Sequence, residues 1–317
     1  MQNKIVIVGA GFVGSTIAYA VMNWGFASEI VLVDINKERA QGEAMDLNHG
    51  AAFVKPVKVR SGGYEECADA DIVVITAGAN QKPGESRLDL VKKNTSIFKD
   101  IVDQITEHTR DAIMLIVTNP VDILTYVTYK LSGLPKNQVL GSGTVLDTSR
   151  FRYLLSDHCN LDPRNIHSYI IGEHGDHEVA AWSLSNVAGI PFDDYCQLCG
   201  EECSVENREK FKEDIYHQVR DSAYEIIRKK DATYYAIGLA VARILESILR
   251  DENTILTVSS VLEGEYGMED IALSLPSIVG KQGVKKVLSL DISAEEKKDL
   301  VDSADLLKGI TAKLDIK

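Results

Sequence analysis

Apolar residues fall into two rhythms along this chain. Short β-branched runs alternate with longer segments in which apolar positions return every three or four residues. Lys4–Val8, Glu29–Val33, Val57–Arg60, Asp71–Thr76, Ala112–Thr118 and Val139–Gly141 are the runs, and they predict buried strands. Between them, Ser15 to Gly25 reads as a helix with Ile17, Ala18, Val21 and Met22 on one face. Lys37–Asn48 reads as a second helix with Ala40, Ala44 and Leu47 inward, and Ser86–Arg110 and Val121–Leu131 as two more. Strand and helix in alternation predict an α/β fold with a doubly wound parallel sheet. Ligands of such a sheet lie at the carboxyl ends of its strands. Gly9–Gly14, Asp34, Thr76–Ala79 and Thr118–Pro120 all fall at such ends.

The pattern changes after residue 145. Leu146–His158, Val205–Lys229 and Tyr234–Leu249 read as helices, and Ile166–Ile171, Thr254–Leu262 and Ile271–Val279 as strands. Ser293 is placed to cap a last helix over Ala294–Lys313. Paired strands beside long helices predict an α+β substrate domain, so the expected division is 1–145 and 146–317, with the boundary near 143 to 146. No internal repeat or low-complexity stretch interrupts either half.

The first strand, turn and helix carry a chemical signature. Gly9-Ala-Gly11-Phe12-Val13-Gly14 follows the first strand at once, and the second strand ends on Asp34, 20 residues after Gly14. Gly9 permits a sharp turn, Gly11 lets backbone approach a pyrophosphate, and Gly14 lets the helix pack on the strand. The helix N-terminus offers free N–H groups and its positive dipole end to phosphate. An acid at Asp34 suits ribose hydroxyls and repels a 2′-phosphate, which favours NAD over NADP. Strand, turn, helix, strand and acid together make this a Rossmann dinucleotide fingerprint; the alternative is a glycine turn that merely packs an α/β unit.

Composition narrows the partners. The chain of 317 residues is 45% hydrophobic and 26% charged, enough to bury a sizeable core. A net charge of −13 and a pI near 5.0 argue against nucleic acid or an anionic membrane as partner. Met-Gln-Asn-Lys runs straight into the first strand, so no signal peptide is expected, and no apolar run approaches the roughly 18 residues of a membrane span. Five cysteines at irregular spacing, Cys67, Cys159, Cys196, Cys199 and Cys203, suit a reducing cytoplasm. The last three also have the look of a metal or redox cluster, but no fourth ligand lies nearby, and plain thiols are the expectation. Asn94-Thr95-Ser96 matches a glycosylation pattern by chance.

A nicotinamide exchanges hydride, so a partner must handle the matching proton, and histidine suits that near neutral pH. Of seven histidines only His174 lies between glycines just after a strand, in Gly172-Glu-His-Gly-Asp176. The competing readings are a structural turn residue or a metal cluster of Glu173, His174, Asp176 and His177. Asp147 and Arg150 share a helix face. Asp147 is suited to orient the imidazole and Arg150 to bind a substrate carboxylate through its planar fork; the alternative is a surface ion pair worth little. Asn80–Arg87 is polar, with Pro and Gly, and follows a cofactor-lining strand, so it reads as a lid over substrate more than as a solvated loop.

These motifs closely resemble the NAD-dependent L-lactate dehydrogenases, especially bacterial ones, over nearly the whole chain. The resemblance rests on Gly9–Gly14, Asp34, Thr76-Ala77-Gly78, Asn80–Gly84, Thr118-Asn119-Pro-Val-Asp122, Leu146–Arg150, Ile171–Asp176 and Thr233–Gly238. It implies that His174 is the proton donor and acceptor and Asp147 its orienting partner. It also implies that Arg150 holds the carboxylate, Arg87 polarises the ketone, Asn119 contacts substrate oxygen and the cofactor region, and Thr233 lines the pocket. Gln81 bears on specificity, because the similar malate dehydrogenases carry Arg there for a second carboxylate. A neutral Gln leaves a dicarboxylate's charge unpaired, so pyruvate and L-lactate, the last step of lactate fermentation, are expected over malate. Branched 2-hydroxy acids stay open. The resemblance further implies a cytoplasmic homotetramer, and activation by fructose 1,6-bisphosphate through Arg152 and His167; the alternative for these two is an ordinary helix-surface and strand residue. Asp231, where relatives often have Gly, and His177, where Ser or Thr is common, depart from the pattern. The rival from another class is a non-catalytic NAD-binding protein on the same fold.

Overall fold

The computed structural model describes residues 3–79, 87–198, 205–314 and 316, with the side chains of 87, 197, 198 and 205–207 outside that description. The first half runs β1 (Lys4–Val8), α1 (Phe12–Trp24), β2 (Glu29–Val33), α2 (Lys37–His49), β3 (Lys58–Ser61), β4 (Ile72–Ile75), α3 (Arg87–His108), β5 (Ile113–Ile116), α4 (Val121–Ser132) and β6 (Val139–Gly141). Next come α5 (Val145–Cys159), β7 (Ile166–His167), β8 (Ile170–Gly172), β9 (Glu178–Ala180), β10 (Asn186–Val187), β11 (Ile190–Pro191), α6 (Phe192–Leu198) and α7 (Val205–Lys230). The chain ends with α8 (Tyr235–Leu249), β12 (Thr254–Leu256), β13 (Ser259–Glu263), β14 (Glu269–Ser274), β15 (Ser277–Gly280), β16 (Gly283–Val287) and α9 (Ala294–Thr311).

One ten-stranded sheet, ordered β3-β2-β1-β4-β5-β6-β13-β14-β8-β9, forms the spine of the molecule. Its first six strands are parallel. The remaining four join antiparallel, through Gly141 opposite Ser259, Ser259 opposite Ser274, Ser274 opposite Gly172 and Gly172 opposite Glu178. The two halves are thus two ends of a single sheet. Strand order reverses between β1 and β4, and the crevice there is where a doubly wound sheet takes its ligand.

The apolar runs are buried on both faces, as parallel strands require. Alternate side chains go to opposite layers. Val6, Val8, Val73, Ile75, Met114 and Ile116 point to one core. Ile5, Ile7, Ile72, Val74, Ile113 and Leu115 point to the other. That second core is closed by α1 and by α8, a helix from the far half of the sequence whose Val241, Ala242, Ile244, Leu245 and Ile248 are buried in it. The crossing is close: a Cβ on Gly238 would lie 2.6 Å from the Thr16 methyl.

Three predicted strands are in fact pairs. Ile166–Ile171 breaks at Ser168-Tyr169 into β7 and β8, which join different sheets. Thr254–Leu262 breaks into β12 and β13, which join different sheets; at the break Thr257 turns its carbonyl to the Thr144 N–H at 3.0 Å. Ile271–Val279 breaks into β14 and β15 at Leu275-Pro276, where proline has no N–H to give a ladder. The short strands β9, β10 and β11 are too brief to show as apolar runs, and β16 carries Lys285 and Lys286 within its five residues. The last helix starts as expected: Ser293 and Glu296 form a reciprocal capping box.

Candidate active site

The glycine turn is shaped for a dinucleotide. Gly9 has φ +108°, and a Cβ there would lie 2.6 Å from Thr76 Oγ1 and 2.7 Å from the Ala77 nitrogen. A Cβ on Gly14 would lie 1.9 Å from the Gly9 carbonyl oxygen. Both positions therefore require glycine. A Cβ on Gly11 would meet nothing within 4 Å, so the backbone there faces open space. Helix α1 starts at Phe12 with no side-chain cap and no acid in its first turn. Its leading N–H groups and dipole are left for an anion. Val13 packs partly into the core beneath, while the Phe12 ring is 63% exposed and stacks on Tyr234 at 5.4 Å.

Asp34 sits at the tip of β2, and its carboxylate accepts the Ala10 N–H at 2.7 Å and the Asn36 N–H at 2.8 Å. It braces the turn at the carboxyl end of β2. The Thr76 hydroxyl donates to the Gly9 carbonyl at 2.8 Å, and the Thr118 hydroxyl to the Ala77 carbonyl at 2.8 Å. A Cβ on Gly78 would lie 2.3 Å from the Thr118 methyl. Open backbone before an uncapped helix, with a fixed acid at the end of β2, fits NAD.

Beyond these strand tips lies a cavity of about 440 Å³. Val91, Asn119, Asp147, Arg150, His174 and Glu178 are among its walls. Asp147, 2% exposed, accepts from the imidazole: its Oδ2 lies 2.5 Å from His174 Nδ1. Its other oxygen accepts from Arg150 Nη1 at 2.6 Å. The Asp147–Arg150 contact is thus part of a buried triad and not a surface pair. The ring of His174 remains partly open to the cavity. Burial works to lower its pKa, but the Asp147 carboxylate outweighs this and raises it to about 9. Such a rise represents on the order of 3 kcal/mol in favour of the imidazolium. Asp147 is in turn held below the usual carboxylate range: burial opposes ionisation, and the facing His174 and Arg150 overcome it.

Sequence reasoning does not single out three residues that build this site. Asp122 is buried, and its Oδ2 accepts the His174 backbone N–H at 2.8 Å while Ser274 donates to Oδ1 at 3.3 Å. Burial raises its pKa to about 6. It anchors the loop that carries the imidazole; its place in Thr118–Asp122 is the one signal available. Asn94 accepts the Ala79 N–H at 2.8 Å and donates to the Asn119 carbonyl at 3.0 Å, tying two strand-end loops together. It is fully buried, which disposes of the glycosylation pattern. Glu178 lies opposite Gly172 across the β8–β9 hairpin, among short strands the hydropathy pattern does not reveal.

Other expected residues are placed as follows. Arg152 Nε donates to the carbonyl of Ser168, the residue after exposed His167, at 3.1 Å, and its guanidinium lies 5.4 Å from the Tyr169 ring centre. Both are outside the cavity's described walls. Thr233 is half-buried between α7 and α8 and is also not among those walls. Asp231 has φ +68°, which explains why glycine suits that position. His177 Nδ1 lies 3.0 Å from buried Glu173, and Tyr224 donates to Asp176 at 2.9 Å. Cys67 and Cys196 are buried and Cys159 partly so. Gln81 with the rest of residues 80–86, Cys199 and Cys203 lie outside the described residues, as does the Arg87 side chain, although the Arg87 backbone opens α3.

A dinucleotide cradle at the carboxyl edge of a parallel sheet, facing an Asp–His couple and an arginine, defines an NAD-dependent oxidoreductase. Residues 3–141 match the lactate/malate dehydrogenase NAD-binding domain, and residues 144–315 match the alpha/beta C-terminal domain of the same proteins. The chain belongs to the lactate/malate dehydrogenase family. It is 60% identical to an L-lactate dehydrogenase of Acetivibrio thermocellus, covering 99% of this chain and 98% of that protein. It is 59% identical to L-lactate dehydrogenase 1 of Clostridium acetobutylicum, covering 97% of each. Among solved structures it superposes on a ligand-bound minor L-lactate dehydrogenase of Enterococcus mundtii with TM-score 0.95 and 47% identity, covering 100% and 99% of the two chains.

Proposed function

We propose that this oxidoreductase interconverts pyruvate and L-lactate, closing lactate fermentation. The observation that carries the reading is the convergence of His174, Asp147 and Arg150 on one cavity beside Asn119. Arg150 receives the substrate carboxylate, which fixes the 2-oxo carbon before the nicotinamide position. Bound NADH supplies the hydride. His174, protonated at neutral pH, gives its Nε2 proton to the carbonyl oxygen as the alcohol forms, and Asp147 stabilises the imidazolium meanwhile. Asn119 adds a polar contact at the oxygen, Arg87 polarises the carbonyl, and Thr233 and Gln81 shape the methyl side. Gln81 in place of a cation supports a monocarboxylate. The division of labour falls at residues 1–145 for cofactor and 146–317 for substrate.

The resemblance to bacterial lactate dehydrogenases supports a cytoplasmic homotetramer activated by fructose 1,6-bisphosphate. The proximity of Arg152 to the β7 segment bearing His167 suits a phosphate site there. NADH oxidation followed at 340 nm with pyruvate, oxaloacetate and 2-ketoisocaproate tests the substrate reading: pyruvate should be the preferred substrate, and preference for either other acid refutes it. Repeating the pyruvate assay at low substrate with the bisphosphate, in wild type and Arg152→Gln, tests the effector. Absence of a response in wild type removes it.

A further inference from the structure

Glu178 stands apart from the other acids of the cavity. It is 4% exposed, and its Oε1 has no hydrogen-bond partner among the described residues. Asp147 receives both an imidazole and a guanidinium, and Asp122 a backbone N–H and a hydroxyl. A buried carboxylate oxygen without a donor is costly when charged and tolerable when protonated. Its surroundings are mixed. Asp147 and Arg150 face it from α5, His174 from the loop after β8, and Arg220 from α7, while Asp147 is already matched by His174 and Arg150. Tyr216 of α7 donates to the Glu178 backbone carbonyl at 3.0 Å, not to its carboxyl. On its other side a groove is bordered by Asp176 and His177 of the loop, by Glu209, Lys210, Lys212 and Glu213 of α7, and by Glu296 and Asp299 of α9; Lys212 is paired with Asp193.

We propose that Glu178 is a positioning residue that acts through Arg150: it works as a neutral carboxyl, and when it ionises it claims the guanidinium and turns away the substrate's carboxylate. This rests on the 2-oxo acid reading above. Substrate binding then ends at alkaline pH with two proton losses, one from His174 and one from Glu178. Burial, with the Asp147 charge adding to it, raises the Glu178 pKa to about 9 and so puts the second loss within reach of assay. The same arrangement leaves a mark without substrate. The folded protein holds a proton on Glu178 that the unfolded chain releases above its ordinary carboxylate range. The contribution of Glu178 to native stability is therefore greatest in acid and declines as pH rises toward 9.

The test pairs wild type with Glu178→Gln, a permanent neutral isostere. Affinity for oxamate, the amide analogue of pyruvate, is measured with NADH present from pH 7 to 10.5. Wild type should steepen beyond about tenfold per pH unit above pH 9, whereas E178Q should hold at about tenfold, the slope of a single proton. Equal slopes overturn the proposal. Thermal melting of both proteins from pH 5 to 8 is the second arm. E178Q should gain on wild type by about tenfold in folding equilibrium per pH unit, and a stability difference that stays constant or moves in favour of wild type as pH rises overturns the proposal. If E178Q does not fold, wild type alone decides: an infrared band of a protonated carboxyl must persist at pH 8, and its absence overturns the proposal. Should oxamate and every 2-oxo acid fail to bind, the substrate reading falls, and melting still judges Glu178.

Discussion

The parallel and antiparallel ends of the ten-stranded sheet recognise their ligands by opposite means. At the parallel end the working parts are backbone: a turn at Gly9, an open edge at Gly11, and uncapped N–H groups at the start of α1. At the antiparallel end they are side chains. Asp147 and Arg150 of α5, His174 of the loop after β8 and Glu178 of β9 place several ionisable groups around one partly buried volume, and Asp122 of α4 anchors the His174 loop. A backbone site tolerates no added atoms. A side-chain site depends on the balance of buried charge. The two ends should therefore fail differently when altered.

Replacing His174 with Ala should produce the largest loss, lowering kcat for pyruvate reduction by about 1,000-fold or more while NADH fluorescence titration shows the cofactor still bound. Loss of NADH binding in H174A would erase the distinction between the ends. Gly14→Val should do the converse. Its side chain must displace the Gly9 carbonyl, so NADH affinity or folding itself should collapse, read by the same titration and by circular dichroism. Asp147→Asn should cost about 100-fold in kcat and bring the alkaline limit of pyruvate reduction well below pH 9. That limit follows from sign: the raised His174 pKa keeps the donor charged below about 9, and activity falls as pH climbs through it. Gln81→Arg should sharpen the picture of the substrate side by moving the pyruvate-to-oxaloacetate rate ratio toward oxaloacetate by about tenfold or more, as a matched charge pair would. An unchanged ratio refutes the role of Gln81. The smallest effect should come from Asp231→Gly, which relieves a left-handed conformation and should stabilise the protein by about 1 kcal/mol in denaturant melts.

How far the sequence discloses each end follows from the same difference. The cofactor cradle is local, within 34 residues, and its glycines have a steric cause that can be reasoned from the chain alone. His174 is conspicuous because glycines flank it. Asp122 is not, since what makes it an anchor is the arrival of Ser274 and the His174 N–H from far along the chain. Glu178 is hidden for another reason: its strand is three residues long, and an acid there looks like any surface acid until burial is known. The three fused strand readings part at Ser168-Tyr169, Thr257 and Pro276, where the chain changes sheets inside what reads as one run. The structural place of Arg152 next to β7 was likewise set by a single hydrogen bond to Ser168 that no spacing announces.

The return of α8 across α1 has a practical meaning for anyone who would cut or recombine this chain. A fragment ending at residue 145 would carry every glycine and acid of the nucleotide cradle yet leave the Ile17 and Val21 side of its sheet bare to water. Such a fragment should clump before it could show any affinity, and grafts between relatives should succeed only when the Thr16–Gly238 seam travels as a matched pair. Modularity here is apparent in the order of residues and absent from the solid object.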